Sequence, residues 1–369
     1  MRVLIVGAGI MGLSVARALV KAGAAVTVYE QGSIPHEHGS SVDQHRLIRY
    51  PYGVLDGYAR MVDAAFAAWG RLWDDLGVRL YYPTGTLVLG DADDPWMRAS
   101  AQGLAAMGHP FTWLDAPALH TRFPLFQLGA HERAFFAASG GLLLARPIVT
   151  HLATWLADQG VHLRSNTRVA DLDPVAARLT LEGGATDAAD LLCVAAGPWL
   201  PRLWPEVAQQ VQPSRQVVLY LKPPADLLAA WQEAPMVLDL HPERGFYLVP
   251  PRGETVLKVG DHRFTRLGTP DEDRLTRLEE IAYLYELALG RLPDLERYAL
   301  DHARTCFYTV APEERFVLAR HDRAWVMTGF SGHGFKFGPL LGERLAETIQ
   351  SGGEADLLSH WAAGHGHDG

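Results

Sequence analysis

A chain of 369 residues can bury a large core and has room for two domains. With 48% hydrophobic and 20% charged residues it has the balance of a soluble globular protein, and a formal charge of −9 argues against nucleic acid or an anionic membrane as partner. No apolar run approaches the roughly 20 residues that span a bilayer. Strand and glycine loop begin at Met1, so no signal peptide is expected, and two distant cysteines, Cys193 and Cys306, make no disulfide framework. A cytoplasmic setting is therefore expected.

Arg2-Val3-Leu4-Ile5-Val6 reads as a short buried strand and leads into Gly7-Ala8-Gly9-Ile10-Met11-Gly12. An Ala-rich helical run follows, and a second strand from Ala25 to Tyr29 ends on Glu30. Three glycines alone signal only a turn. Between a strand and a helix, with an acid closing the next strand, they signal a dinucleotide site. Gly7 permits the tight turn, Gly9 lets a pyrophosphate approach the backbone, and Gly12 lets helix and strand pack closely. Free N–H groups at Ile10 and Met11, where the helix starts, would face the phosphates. Glu30 would accept from a ribose hydroxyl pair, and an acid there argues against NADP. The alternative is a plain strand–helix–strand packing unit.

Residues 31–54 read as loop and carry a basic cluster, Arg46-Leu47-Ile48-Arg49. Residues 55–76 predict an amphipathic helix whose Tyr58, Val62, Phe66, Trp69, Trp73 and Leu76 recur at helical spacing and belong to the core. Tyr82 to Gly90 reads as a strand opening a different domain. Arg146-Pro147 starts a helix to about Asp158, followed by strands from Val161 to Val169 and from Arg178 to Glu182. Asp190 to Gly197 is a buried, parallel-type strand ending at a glycine, where Ala196 and Gly197 can bring backbone close to a cofactor.

Strands are then expected over Arg215 to Leu221, Phe246 to Val249 and Thr255 to Gly260, followed by a helix with Leu275, Leu278, Ala282, Tyr285 and Leu289 on one apolar face. Ala303 to Thr309 and Ala324 to Thr328 read as the last strands, with a closing helix from Pro339 to about Ile349. The tail from Gly364 to Gly369 is expected to be disordered. His36-Glu37-His38 and the tail histidines lack metal-ligand spacing, so no metal site is expected. Between the last strand and helix, Thr328-Gly329-Phe330-Ser331-Gly332-His333-Gly334-Phe335-Lys336-Phe337-Gly338 packs four glycines. That density lets backbone pass close to something flat or charged, and the helix start beyond it offers N–H donors to an anionic ring edge. A tight strand–helix turn is the plainer reading.

Taken in order, several stretches resemble the monomeric sarcosine oxidase family, flavoenzymes that oxidise N-methyl and other secondary amino acids within the wider D-amino acid oxidase group. They are Gly7 to Gly12, Gly39-Ser40-Ser41, Arg46-Leu47-Ile48-Arg49, Arg215-Gln216-Val217-Val218, Leu257-Lys258-Val259-Gly260, Thr305-Cys306-Phe307-Tyr308-Thr309 and Gly329 to Phe337. The resemblance implies an α/β fold: a Rossmann-like FAD-binding domain of discontinuous segments (1–81, 140–214 and 315–369) and an α+β substrate domain (82–139 and 215–314) with an antiparallel sheet over the flavin. It implies FAD held by Gly7, Gly9, Ile10, Met11, Gly12, Glu30, Ser40, Ser41, Arg46, Val169, Ala196, Gly197, Trp199, Gly332, His333, Gly334, Phe335 and Lys336.

The same resemblance makes Cys306 the carrier of covalent flavin through its 8α-methyl carbon, with nearby cations favouring the thiolate. Cys193, in an apolar strand, reads as an inert core residue. Arg49 resembles the arginine that binds the substrate carboxylate and Lys336 the lysine that assists it; a solvated surface charge is the alternative for Arg49. Arg46 faces the flavin or a structural partner. Lys258, on an apolar strand, resembles the lysine near flavin N5 that speeds reaction with oxygen, and His262 a histidine beside the flavin with a role in polar positioning; a core or surface histidine is the alternative. The sequence departs from the family at Val42-Asp43-Gln44-His45 and at Tyr50-Pro51-Tyr52-Gly53, which puts sarcosine itself in doubt and leaves a larger or cyclic secondary amine as plausible.

The expected reaction is hydride transfer from the carbon beside the amine to flavin N5, giving an imine, with reoxidation by oxygen giving hydrogen peroxide. Its rivals are a dehydrogenase on the same scaffold that passes electrons to a quinone, and a non-catalytic flavin- or NAD-binding module. A monomer acting on a small amine and oxygen is expected.

Overall fold

The computed structural model describes residues 1–241, 244–272 and 274–365. Its six-stranded sheet has the order 317–321, 324–328, 191–194, 2–6, 25–29, 162–164, and every pair is parallel except the outermost, where Val317–His321 runs antiparallel to Ala324–Thr328. Leu4, Ile5 and Val28 at its centre are fully buried, as apolar runs in parallel strands must be. The helix Ile10–Lys21 crosses behind this sheet and packs against Gly338–Ser351. Two glycines make that approach possible: a Cβ on Gly338 would lie 2.6 Å from the Ile10 side chain, and one on Gly342 would lie 2.6 Å from Ser14 backbone.

An eight-stranded sheet has the order 299–310, 212–222, 257–261, 246–249, 236–239, 86–91, 132–137, 111–114. It is antiparallel as expected, apart from one parallel pair, Met236–Asp239 with Thr86–Asp91. Its outer apolar face is covered by Leu284, Leu287 and Ala288 of the helix Leu278–Leu289. This corrects the expected apolar face, since Leu275 and Leu278 are 78% and 80% exposed. Leucines recur at helical spacing on both sides of this segment, and only docking on the sheet chooses between them. Two three-stranded sheets (Val169–Asp173 with Arg178–Leu181 and Thr186–Ala188, and Arg46–Ile48 with Gly141–Leu143 and Tyr81–Tyr82) complete the strands.

The aromatic helix Asp56–Leu76 buries Tyr58, Val62 and Trp69, which bears out their assignment to the core. The strand expected over 161–169 is two, His162–Arg164 and Val169–Asp173, separated by a turn. The helix Ala355–Ala362 and the strands Met236–Asp239 and Val317–His321 are additional to expectation; each is short, and its periodicity is correspondingly weak. Of the expected disordered tail, 366–369 lies outside the described residues. Gly364 is not loose: a Cβ on Gly57 would meet its carbonyl oxygen at 1.9 Å.

Candidate functional site

The opening loop is fixed first by packing. Gly7 has φ +103°, and a Cβ there would lie 2.4 Å from the Ala195 carbonyl oxygen; a Cβ on Gly12 would lie 1.9 Å from the Gly7 carbonyl oxygen. A Cβ on Gly9 would meet the Ser41 side chain, its hydroxyl at 3.0 Å, and Gly9 lines the cavity. The Ser41 hydroxyl accepts from the Ile10 N–H at 2.9 Å, occupying one helix-start donor. Glu30 is buried and accepts from Ala8 N–H at 2.9 Å and Gly32 N–H at 3.1 Å. It therefore braces the loop, and a carboxylate has lone pairs left over for hydroxyls.

A cavity of about 430 Å³ runs along this loop, within the range of small-molecule and cofactor sites. Of the residues expected to hold a cofactor, Gly7, Gly9, Ile10, Met11, Glu30, Ser40, Ser41, Arg46, Val169, Ala196, Gly197, Trp199, Gly332, Gly334 and Phe335 line it. Gly12, Cys306, His333 and Lys336 do not; Gly12 is consumed by packing, and the other three are buried behind the wall. The glycines of 329–338 serve the protein as well: Cβ atoms on Gly332 and Gly334 would lie 2.7 Å from Tyr308 and 2.6 Å from Phe330. The donors expected from the helix beyond them are not at the cavity. A 3₁₀ turn, Phe335–Phe337, intervenes, and the helix start at Gly338 rests on Ile10. Glycine backbone beside a helix start, an acid at the end of the second strand and an elongated wall of small residues fit a dinucleotide such as FAD.

Below the cavity lies a charged cluster that the sequence reading missed at its centre. Asp43, 3% exposed, takes Lys258 Nζ at 2.6 Å and pairs with Arg46, while the Tyr220 hydroxyl donates to its other oxygen. Burial drives the Asp43 carboxyl up, but Arg46 and Lys258 outweigh it and hold the group well below the usual carboxylate range. His45 is fully buried, with Nε2 3.3 Å from the Val256 carbonyl and no partner at Nδ1; burial and the Lys258 charge lower it to about 3. A lone lysine on an apolar strand was itself the signal, since a buried ammonium requires an anion. Asp43, three residues before Arg46, is that anion.

A second cluster forms at Tyr52. Lys336 Nζ donates to the Tyr52 hydroxyl at 2.9 Å and to the His333 carbonyl at 2.8 Å, and the Arg49 guanidinium lies 4.6 Å over the Tyr52 ring. Trp69 Nε1 anchors the Lys336 carbonyl at 2.7 Å, so the aromatic helix fixes the lysine from behind. Among the described residues no carboxylate is in ion-pair contact with Arg49 or Lys336. Burial and then the Arg49 charge push Lys336 well below the ordinary lysine range. Arg49 is half-buried, not a solvated surface charge. His262 is exposed beside Tyr247, with ring centroids 5.8 Å apart, and makes no hydrogen bond to either cluster.

Cys306 is buried on the strand Ala299–Val310, on the same side as the cavity-lining Tyr308 two residues on. Burial raises its thiol, and the Arg46 and Lys258 charges reduce that rise without reversing it, so the expected cation-stabilised thiolate is not favoured here. Cys193 is buried with no charge nearby, and burial alone pushes its thiol up to about 12. His36 lies 5.2 Å from the Trp199 ring and 3.3 Å from Glu30, while Glu37 pairs with Arg146.

Known proteins resemble this chain along most of its length. Peroxisomal sarcosine oxidase of Mus musculus is 29% identical over 359 residues, which cover 93% of this chain and 90% of that one. N-methyl-L-tryptophan oxidase of Salmonella newport (strain SL254) is 29% identical over 356 residues, covering 93% of each. Among solved structures, the open form of NikD, an unusual amino acid oxidase essential for nikkomycin biosynthesis, matches with a TM-score of 0.82 at 22% identity, over 96% of this chain and 94% of that one. L-proline dehydrogenase from P. horikoshii matches with a TM-score of 0.84 at 19% identity, over 99% and 96%. These two likenesses carry the fold alone. The sequence over residues 2–348 matches the family described as FAD dependent oxidoreductase. The resemblance read from the motifs is thus borne out, and the chain belongs to the FAD dependent oxidoreductase family.

Proposed function

We propose that this enzyme oxidises a secondary amino acid, N-alkyl or cyclic, to an imine, with oxygen as final acceptor and hydrogen peroxide as by-product. The observation that carries this reading is the pair of cations at Tyr52, Arg49 and Lys336, with no carboxylate in ion-pair contact among the described residues. Two adjacent buried or half-buried cations repel each other and disfavour their own burial, and a bound carboxylate relieves both. FAD, when bound, supplies the hydride acceptor. The names of the relatives, oxidases of sarcosine and of N-methyl-L-tryptophan, support an N-substituted amino acid.

Each residue has a physical task in this reading. Arg49 holds one face of the carboxylate through its planar fork of donors, and Lys336 neutralises the remaining charge. Tyr52 and the His333 carbonyl keep Lys336 Nζ in place. Two cations beside the substrate also disfavour a protonated amine, which leaves the nitrogen lone pair free as the adjacent C–H bond breaks. Gly332 and Gly334 bring backbone to the cavity wall, and Arg46 contributes a charge there. Lys258 lends positive potential to the oxygen half of the reaction. Cys306 carries the flavin covalently, a reading supported by its side of the Tyr308 strand.

A second reading draws on the Asp43 carboxylate against Lys258: a dehydrogenase that passes electrons to a quinone or similar acceptor. The test begins with anaerobic mixing of the purified yellow protein with N-methyl and cyclic amino acids. Bleaching by one class, followed by one peroxide per turnover on admitting air, is the expected result. Bleaching without peroxide would select the second reading, and a colourless protein would end both.

A further inference from the structure

We propose that Asp43 is a positioning residue that attenuates the oxygen half-reaction by holding the Lys258 ammonium in an ion pair beside the cofactor cavity. The inference rests on the reading that FAD occupies that cavity and that Lys258 acts on oxygen. The charges around Lys258 can be summed from its neighbours. Among the described residues Asp43 and Arg46 are the charged groups bonded in this cluster, and Asp43 bonds both cations; Arg304, on the strand of Cys306, acts on Tyr220 and Cys306 from farther out. From the paired strands and the loop below, Tyr220, Tyr247, Tyr308, Cys306 and His45 face the same space. Burial holds each of the four acids protonated and His45 unprotonated. The cluster therefore carries one net positive charge in place of two.

Distance sharpens the effect. An ammonium 2.6 Å from a carboxylate presents a dipole to its surroundings, and a dipole field falls off faster than that of a free charge. In the oxygen half-reaction two electrons leave the reduced flavin for oxygen, with two protons from flavin and solvent, giving hydrogen peroxide and oxidised cofactor. Negative charge gathers on oxygen before the protons arrive, so the local positive potential sets the rate. A carboxylate at this position subtracts from it.

The experiment uses the flavin-loaded enzyme and its variants Asp43→Asn, Asp43→Gly and Lys258→Met, singly and combined. Stopped-flow reoxidation in air is divided by the rate of anaerobic reduction, from about pH 6 to about pH 9. Asp43→Asn should raise this ratio about tenfold or more near pH 6, and the gain should fade as pH rises and the unpaired Lys258 loses its proton. Adding Lys258→Met should abolish the gain. Sulfite, an anion that adds to flavin, should bind the Asp43→Asn protein about tenfold tighter, which is a readout independent of turnover. Should Asp43→Asn not fold, Asp43→Gly carries the same expectations.

A folded Asp43 variant whose ratio and sulfite affinity stay within about threefold of native overturns the proposal. If Lys258→Met slows reoxidation while the Asp43 variants do not speed it, only the role of Asp43 falls. If neither substitution alters reoxidation, the assignment of Lys258 to oxygen falls, and this proposal with it.

Discussion

Asp43 and Lys258 come from opposite ends of the fold, one from the loop after the second Rossmann strand and one from the eight-stranded sheet, and meet at 2.6 Å with 3% of each side chain exposed. Removing one member of such a pair leaves the other buried and unmatched, at a cost of about 3–5 kcal/mol. Asp43→Asn should therefore lower unfolding stability at neutral pH by roughly that amount. The carboxyl is held below its unfolded value of about 3.9, so its contribution is complete above that pH and is lost as pH falls through the folded value. Urea titrations of native and variant protein should converge in acid; a constant gap would show that charge is not the cause.

His45 should make the protein acid-sensitive in a higher window. Its ring is buried and unprotonated to about pH 3, whereas in the unfolded chain it takes a proton near about pH 6.5. Between those values the unfolded state binds the extra proton, and stability falls by up to about 1.4 kcal/mol per unit of acidification. His45→Gln should flatten the urea midpoint across that range. An unchanged slope would show that the ring is already hydrated.

Arg49→Ala should raise KM for the amino-acid substrate roughly tenfold to a hundredfold, the loss of a charge-assisted hydrogen bond or two. Flavin content, read from absorbance, should stay as in the native protein, because Arg49 is not among the cavity-lining residues. Unchanged kinetics would remove the guanidinium from the carboxylate site.

Cys306→Ser should release flavin on acid precipitation, leaving a yellow supernatant where the native protein gives a yellow pellet. The raised thiol pKa makes a second expectation: attachment should proceed faster as pH rises, because the thiolate is the nucleophile. Flavin released equally from both proteins would show that Cys306 is only a buried side chain.

Gly12→Ala places a methyl group 1.9 Å from the Gly7 carbonyl oxygen, a contact that only movement of strand or helix can relieve. Overpacking of that kind costs about 1–3 kcal/mol. Thermal unfolding should fall, and flavin should be lost with it, although Gly12 does not face the cavity. A stable variant that keeps its flavin would show that the helix can slide.

The dinucleotide loop, the terminal acid Glu30 and a buried strand before Gly197 were legible in the amino-acid order, because each rests on contacts within a few residues or on an obligatory backbone conformation, although that strand ends at Val194 and Gly197 opens a 3₁₀ turn. Arg49, Lys336, Lys258 and Cys306 were legible as residue types in motifs, and the motifs also carried the family. What joins them was not. That Tyr52 stands between Arg49 and Lys336, that Asp43 rather than a ligand meets Lys258, and that Glu30, expected to accept from a ribose, also braces the glycine loop are relations between separate segments of the chain. The face buried by Leu278–Leu289 shows the same limit: its leucines suit two sides, and the sheet it lands on selects one. Local chemistry is written in neighbouring residues, whereas the partner of a buried charge is decided by which distant strand or loop packs over it, and only the folded chain makes that choice.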